Sequence, residues 1–290
     1  MSELAPIAIF AYRRTATLNR VLDSLEACPQ FAASPVFIFS DGPKNPNAAA
    51  DVEAVRALVR SRQRPNMTLI EAPANKGLAR SIIGGVGQLC EDYGRAIVIE
   101  DDLIVSPQLL GWFNAALDRY ADEPKVMQVS GYAFGGGSMD RRTDGVFLPM
   151  TTSWGWATWK RAWTQFMPDA PGWEALATDP ALRKRFDLDG VYPYAKMLES
   201  QMRGEIDSWA IRWYWTVFKL GGLGVFPPKT LVLNVGDDAL ATHGRLRALV
   251  RKLFRKPPTL AEFQPGLPTA AEVDPAIWRQ VKYNIIRSRF

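Results

Sequence analysis

Ala96-Ile97-Val98-Ile99-Glu100-Asp101-Asp102-Leu103 decides the fold. Four apolar, mostly β-branched residues run directly into three adjacent carboxylates. An apolar run without polar alternation is the pattern of a strand buried on both faces of a parallel sheet. The acids then fall at its carboxyl end, where open α/β sheets bind their ligands. Three neighbouring negative charges repel one another and are costly to desolvate without a positive partner. Hard carboxylate oxygens suit Mg2+ or Mn2+, commonly shared with a substrate phosphate. The plainer alternative is that the acids only cap the next helix, but Ser106-Pro107 already supplies a cap and a first-turn proline.

Working outward, the first half alternates strand and helix. Pro6–Tyr12 reads as a buried strand, and Thr15 as the cap of a helix with Leu18, Val21, Leu22 and Leu25 on one face. Pro35–Ser40 is a second strand, ending at the Asp41-Gly42-Pro43 turn. A helix follows over Ala48–Arg62, and Met67–Glu71 is a short third strand. Asn75-Lys76-Gly77 opens a helix carrying Leu78, Ile82, Val86 and Leu89. The acidic strand comes next, then a helix over Ser106–Tyr120. This order predicts an α/β fold, a mixed but mostly parallel sheet flanked by helices.

The second half is less regular. Val126–Ser130, Val146–Met150 and Thr230–Asn234 read as strands, and Gly135-Gly136-Gly137 as a flexible loop. Leu198–Lys219 is largely helical around an interruption near Gly204, and Ala271–Ile286 is a terminal helix. Trp156, Trp159 and Trp163 stand at helical spacing and read as core. Trp154, beside Ser153 and Gly155, is better placed to line a pocket.

The chain has 290 residues, 47% of them hydrophobic, and a formal net charge of +5. That charge is too mild to indicate nucleic acid. Cys28 and Cys90 lie in apolar helical patterns and form no disulfide framework, which fits a reducing cytosol. No segment approaches the roughly 20 apolar residues of a membrane span, and the N-terminal residues lack the pattern of a secretory signal.

The first strand–helix turn, Ala11-Tyr12-Arg13-Arg14-Thr15, has none of the glycines of a dinucleotide-binding turn, and a P-loop is absent. Phosphates would instead be held by the turn's arginines and by a metal on the carboxylates. That combination favours a nucleoside diphosphate bound through a cation.

At Ile97–Leu103, with Ser106-Pro107 and Trp112-Phe113 following, the chain resembles GT-A-fold glycosyltransferases, in particular the N-acetylglucosaminyltransferase I family with its Glu-Asp-Asp-Leu metal motif. Thr152-Ser153-Trp154-Gly155-Trp156-Ala157-Thr158-Trp159, Asp207-Ser208-Trp209 and Asn234-Val235-Gly236 … Thr242-His243 resemble bacterial family-2-like sugar transferases, some described as haemolysin-like. The resemblance spans roughly Pro6 to His243. It implies a catalytic domain over 1–243, with a nucleotide-binding half (1–105) and an acceptor half (106–243), followed by a basic amphipathic helix and tail (244–290).

Residue by residue, the resemblance implies that Asp102 and His243 bind the metal. Glu100 and Asp101 would touch the ribose or donor sugar, and Asp41 the nucleobase. Arg13 and Arg14 would lie near base and phosphates, and Lys76 and Arg80 would approach the donor. Asp207 is the candidate base for deprotonating the acceptor hydroxyl. Glu205 competes with it, and Asp207 also reads as a helix N-cap. Trp154 and Trp209 are candidates for the acceptor pocket. The implied activity is a metal-dependent, inverting transfer of a sugar from a UDP- or GDP-sugar to a saccharide or lipid-linked saccharide, in bacterial surface-polysaccharide synthesis.

Two other classes stay open: a sugar-phosphate nucleotidyltransferase, and a non-catalytic carbohydrate- or membrane-binding protein. From His243 to Lys256 the chain has no acid, and Leu246, Leu249, Val250, Leu253 and Phe254 form an apolar stripe among arginines and lysines. Such a segment either lies on an anionic membrane surface, at the inner face of the membrane, or packs on the catalytic domain.

Overall fold

The computed structural model describes residues 3–236 and 260–289. The strands are β1 (Ile7–Ala11), β2 (Val36–Ser40), β3 (Met67–Glu71), β4 (Arg95–Glu100), β5 (Leu103–Val105), β6 (Val126–Ser130), β7 (Val146–Leu148), β8 (Trp156–Trp159), β9 (Leu223–Phe226) and β10 (Val232–Asn234). Eight of them form one sheet in the order β3-β2-β1-β4-β8-β6-β9-β7, and β10 pairs with β5 in a separate ribbon. β3, β2, β1 and β4 are parallel. β8 runs antiparallel between β4 and β6, and β7 is antiparallel to β9. The mixed, mostly parallel sheet expected from the sequence is what forms.

Helices α1 (Thr15–Glu26), α2 (Pro46–Ser61), α3 (Leu78–Tyr93) and α4 (Leu109–Arg119) wind the first half on both faces. Strand residues alternate between two cores. Ile7, Ile9, Ile97 and Ile99 meet α1, α2 and α4, while Ala8, Phe10, Ala96 and Val98 meet α3. Both faces are covered, so the strands read as continuous apolar runs rather than alternating ones. Cys28 and Cys90 are buried free thiols, as expected of small core residues.

Past β8 come α5 (Lys160–Trp163), α6 (Ala175–Thr178), α7 (Pro180–Phe186), α8 (Tyr194–Met202) and α9 (Trp209–Lys219). α9 joins the α3 face through Trp209 and Trp213 and turns Ile211, Tyr214 and Trp215 into a third core. The C-terminal helix Pro275–Arg289 packs Ile277, Val281 and Ile285 into that same core. Tyr120 Oη donates to Pro268 O, and Ser106 Oγ to Ala261 O. The described part of the tail, 260–289, is thus built into the body of the fold. Residues 244–256 lie outside the described residues. Among the described residues no helix is long and apolar enough to cross a membrane.

Several local expectations change. Trp156–Trp159 is a strand, because both β4 and β6 need a partner along their inner edges. Thr15 is the first residue of α1 instead of its cap. α4 starts at Leu109, later than Ser106, since Leu103–Val105 is used in the ribbon with β10. The Gly135–Gly137 loop leads into a 3-10 turn, Gly137–Arg141, and Asn284 Nδ2 ties it down by donating to Phe134 O and Gly136 O.

Candidate active site

Chain order places a switch point between β1 and β4. From β1 the chain steps outward to β2 and β3, then crosses back to the other side of β1. The helices that follow β1 and β4 therefore diverge and leave a crevice at the strands' carboxyl ends. The turn after β1 brings Tyr12, Arg13 and Arg14 to that crevice, and the end of β4 brings Glu100, Asp101 and Asp102.

There the groups lock together. Arg14 Nη1 lies 2.6 Å from Asp102 Oδ2 and 3.6 Å from Asp101 Oδ1. Asp101 Oδ2 accepts from the Tyr12 amide at 3.2 Å. The Asp102 carbonyl accepts from Val235 N at 2.8 Å, which draws the segment after β10 over the acids. Gly236 then sits so close that a Cβ there would overlap Asp102 Oδ2. Arg13 lies over the Tyr12 ring, 5.3 Å from its centroid.

Burial, with the Asp102 and Asp101 charges added, pushes the Glu100 carboxyl from an ordinary value near 4.5 up to about 8, partly offset by Arg14. The folded protein therefore holds this proton more tightly than the unfolded chain. The associated stability is present below about 4.5 and is lost as pH rises through about 8. Glu100→Gln has no proton to lose. Its melting temperature should match that of the unaltered protein at pH 5 and exceed it at pH 9, by roughly 2–4 °C for each kcal/mol the buried charge costs. Thermal melts of metal-free protein at pH 5, 7 and 9 check this.

Asp41, at the end of β2, is held by donors of its own chain. Oδ1 accepts from Gly42 N and Lys76 N, each at 2.8 Å, and Oδ2 accepts from Asn75 Nδ2 at 2.9 Å and Gly77 N at 3.0 Å. A carboxylate has about four acceptor sites, and all are filled by its own chain. Asp41 thus clamps the β3–α3 loop. Lys76 and Arg80 are exposed on that loop and the first turn of α3, and Arg80 Nε donates to Lys76 O at 2.8 Å. Gly42 makes the clamp possible, because a Cβ there would collide with the Ala74 backbone. Gly42→Ala should cost about 1–3 kcal/mol, read as a lower denaturant midpoint with unchanged slope.

Asp207 lies across from this loop. A Cβ built on Gly77, at the start of α3, would be 3.3 Å from Asp207 Oδ2. Asp207 does not cap α9. Ser208 does, its Oγ accepting from Ile211 N. The Asp207 carboxylate is 63% exposed, with Arg212 Nη2 3.7 Å away. Glu205 is committed to Arg203 at 2.6 Å, and that hydrogen bond lowers its pKa.

Trp154 is half-buried on the turn before β8, edge-on to Tyr132 with ring centroids 5.0 Å apart. Trp209 is a core residue instead of a pocket wall: it is 3% exposed and stacked on Trp156 at 4.8 Å. The sequence reading missed three contributors. Tyr12 serves through its amide, Tyr132 partners Trp154, and Gln128 is buried with Nε2 on Thr152 O and Oε1 on Trp213 Nε1, each at 2.8 Å. The position of Tyr132, just past the end of β6, was the available signal. His243, with Asp237 and Asp238, lies outside the described residues.

The described residues suit a divalent cation bound together with a ligand. No group of three His, Cys, Asp or Glu side chains converges among the described residues. Mg2+-type sites need only one or two carboxylates, with phosphates and water completing the shell. Asp102 offers one hard oxygen beneath Gly236, with the Arg14 guanidinium beside it at 2.6 Å.

The sequence matches no protein-family profile and no curated protein. Among solved structures, the chain is similar to a mannosyltransferase from Pyrobaculum calidifontis in complex with GDP-Man and Mn2+, at 11% identity over 75% of this chain and 69% of that one, TM-score 0.39. It is similar to GalNAc-T7 with UDP, GalNAc and Mn2+, at 10% identity over 78% of this chain and 43% of that one, TM-score 0.46. It is also similar to the galactosyltransferase LgtC in complex with donor and acceptor sugar analogues, at 13% identity over 77% and 73%, TM-score 0.41.

Proposed function

We propose that this chain is a metal-dependent glycosyltransferase that moves a sugar from a nucleoside-diphosphate donor, a UDP- or GDP-sugar, to a saccharide or lipid-linked saccharide acceptor, with inversion. The observation that carries it is the Arg14–Asp101–Asp102 cluster at the switch point between β1 and β4. Asp102 would hold the cation, with His243 as the candidate second ligand. When bound, Mn2+ or Mg2+ supplies Lewis-acid stabilisation of charge on the departing diphosphate.

The chain's own residues do the remaining work. Arg13 and Arg14 bind phosphate oxygens, with Lys76 and Arg80 adding positive charge at the rim. Glu100 and Asp101 orient the ribose or donor sugar, and Trp154 supports the acceptor. Asp207 takes the acceptor hydroxyl's proton on its free carboxylate oxygen. A role in bacterial surface-polysaccharide synthesis is supported by the motifs shared with bacterial family-2-like transferases. Attachment to the inner face of a membrane is supported by the basic, apolar-striped 244–256 sequence.

The test is a thermal-shift panel of UDP, GDP, CMP and dTDP, each with and without Mn2+. A ligand at 100 times its dissociation constant stabilises by about 2.7 kcal/mol, a rise of several degrees. One nucleotide should raise the melting temperature only with the cation. A flat response to all four ends the proposal.

A further inference from the structure

Arg212 stands on α9 one turn past Ser208, beside Asp207, and its side chain is only 15% exposed. Nε donates to Ser208 O at 3.1 Å. Nη2 is 3.7 Å from Asp207 Oδ1, an ion pair too long for a hydrogen bond. Among the described residues neither Nη atom has a hydrogen-bond partner. Burial pushes the guanidinium below its ordinary pKa, and the Asp207 and Asp169 charges offset that only in part; it remains a cation all the same. More positive charge lies on the other side of Asp207. Its Oδ2 faces Gly77, where a Cβ would be 3.3 Å away. Lys76 precedes that glycine, and Arg80 is tied to it through Nε on Lys76 O at 2.8 Å; both side chains are exposed. The Asp207 carboxylate thus has Arg212 beside one oxygen and the Lys76-Gly77 backbone beside the other.

A largely buried guanidinium with unused donors destabilises the fold. An anion with paired oxygens relieves this, because the guanidinium fork matches carboxylate and phosphate. Position says which ligand brings the anion. A sugar whose hydroxyl reaches Asp207 lies within its own ring's breadth of Arg212, so a charged substituent on that sugar can meet the guanidinium. We propose that the acceptor is an anionic sugar, a sugar phosphate or a uronate, whose charged group docks on Arg212 while its hydroxyl faces Asp207. Lys76 and Arg80 add attraction at the rim. Arg212 then determines specificity: it selects charged acceptors over neutral ones. The inference rests on Asp207 as the base of the proposed transfer and narrows the acceptor of that reaction.

The experiment compares the full chain with Arg212→Gln and Arg212→Lys, after circular dichroism has checked that each is folded. The probes are glucose and galactose as 1-phosphates, as uronates and as methyl glycosides. Saturation-transfer nuclear magnetic resonance reads their binding with UDP–Mg2+ or GDP–Mg2+ present to fill the donor side, so no turnover is needed. At least one charged series, phosphate or uronate, should bind the unaltered protein, and Arg212→Gln should weaken it by roughly tenfold or more. Methyl glycosides should bind all three proteins alike. Arg212→Lys keeps the charge but not the fork and should fall between; it decides the matter should Arg212→Gln fail to fold. Where transfer is followed, Arg212→Gln should raise KM for the charged acceptor and leave kcat within about twofold. Three results overturn the inference and leave the glycosyltransferase reading intact: no charged probe binds, charged probes bind the variants as tightly as the unaltered protein, or kcat falls equally on charged and neutral acceptors, as it would if Arg212 only oriented Asp207. Absence of the nucleotide–cation thermal shift is a separate result, which removes the transfer reading and the acceptor inference with it.

Discussion

Asp102→Asn should abolish cation-dependent donor turnover while leaving the protein folded. The amide keeps the size of the side chain and can still accept from Arg14, and the Asp102 carbonyl keeps its bond from Val235 N. Only the charge is lost. An ion that stabilises a departing diphosphate is worth several kcal/mol of barrier, and each 1.36 kcal/mol is a factor of ten in rate. Nucleotide release from the donor should thus fall by about a thousandfold or more, and the Mn2+-dependent part of the nucleotide thermal shift should vanish. Both are read on the same purified protein. A variant that keeps its Mn2+-dependent shift would show that the cation is held elsewhere.

Asp207→Asn should separate binding from chemistry. A positioned general base contributes about 10²–10⁴-fold, so sugar transfer should fall by that factor. The nucleotide–Mn2+ thermal shift should not change, because the proposed donor contacts lie on Arg13, Arg14, Lys76, Arg80, Glu100, Asp101 and Asp102 and not on Asp207. Ser208, the actual N-cap of α9, is untouched, so stability should stay within about 0.5 kcal/mol of the unaltered protein. Loss of transfer with an intact shift marks the base. Loss of both marks Asp207 as part of the donor site.

β1 and β4 were legible because they are covered on both faces and so announce themselves as unbroken apolar runs. Met67–Glu71 and Val126–Ser130 fall where the sequence placed them. The acidic cluster and the arginines of the first turn were legible for a related reason: in a doubly wound sheet, strand order alone decides where the crevice opens. Trp156, Trp159 and Trp163 are core residues, as their spacing suggested, but that spacing reads as a helix, while the residues that make 156–159 a strand belong to β4 and β6, remote in sequence. The Asp41 clamp was not legible because two of its donors are backbone amides some thirty-five residues away, which no side-chain pattern reveals. Trp209 misled because an aromatic residue at the start of an amphipathic helix reads the same whether it faces a pocket or a core; only its stacking on Trp156 separates the two.

The antiparallel insertion of β8 has a consequence for biosynthesis. On the side away from β1, Arg95–Val98 of β4 finds its partner at Trp156–Trp159, some sixty residues later. Until the ribosome has delivered that tryptophan-rich segment, the nascent chain carries a naked, apolar sheet border that invites pairing with another polypeptide. A polypeptide truncated before residue 156 would keep that border permanently and belong in inclusion bodies. One further strand zips the two halves together and removes the hazard.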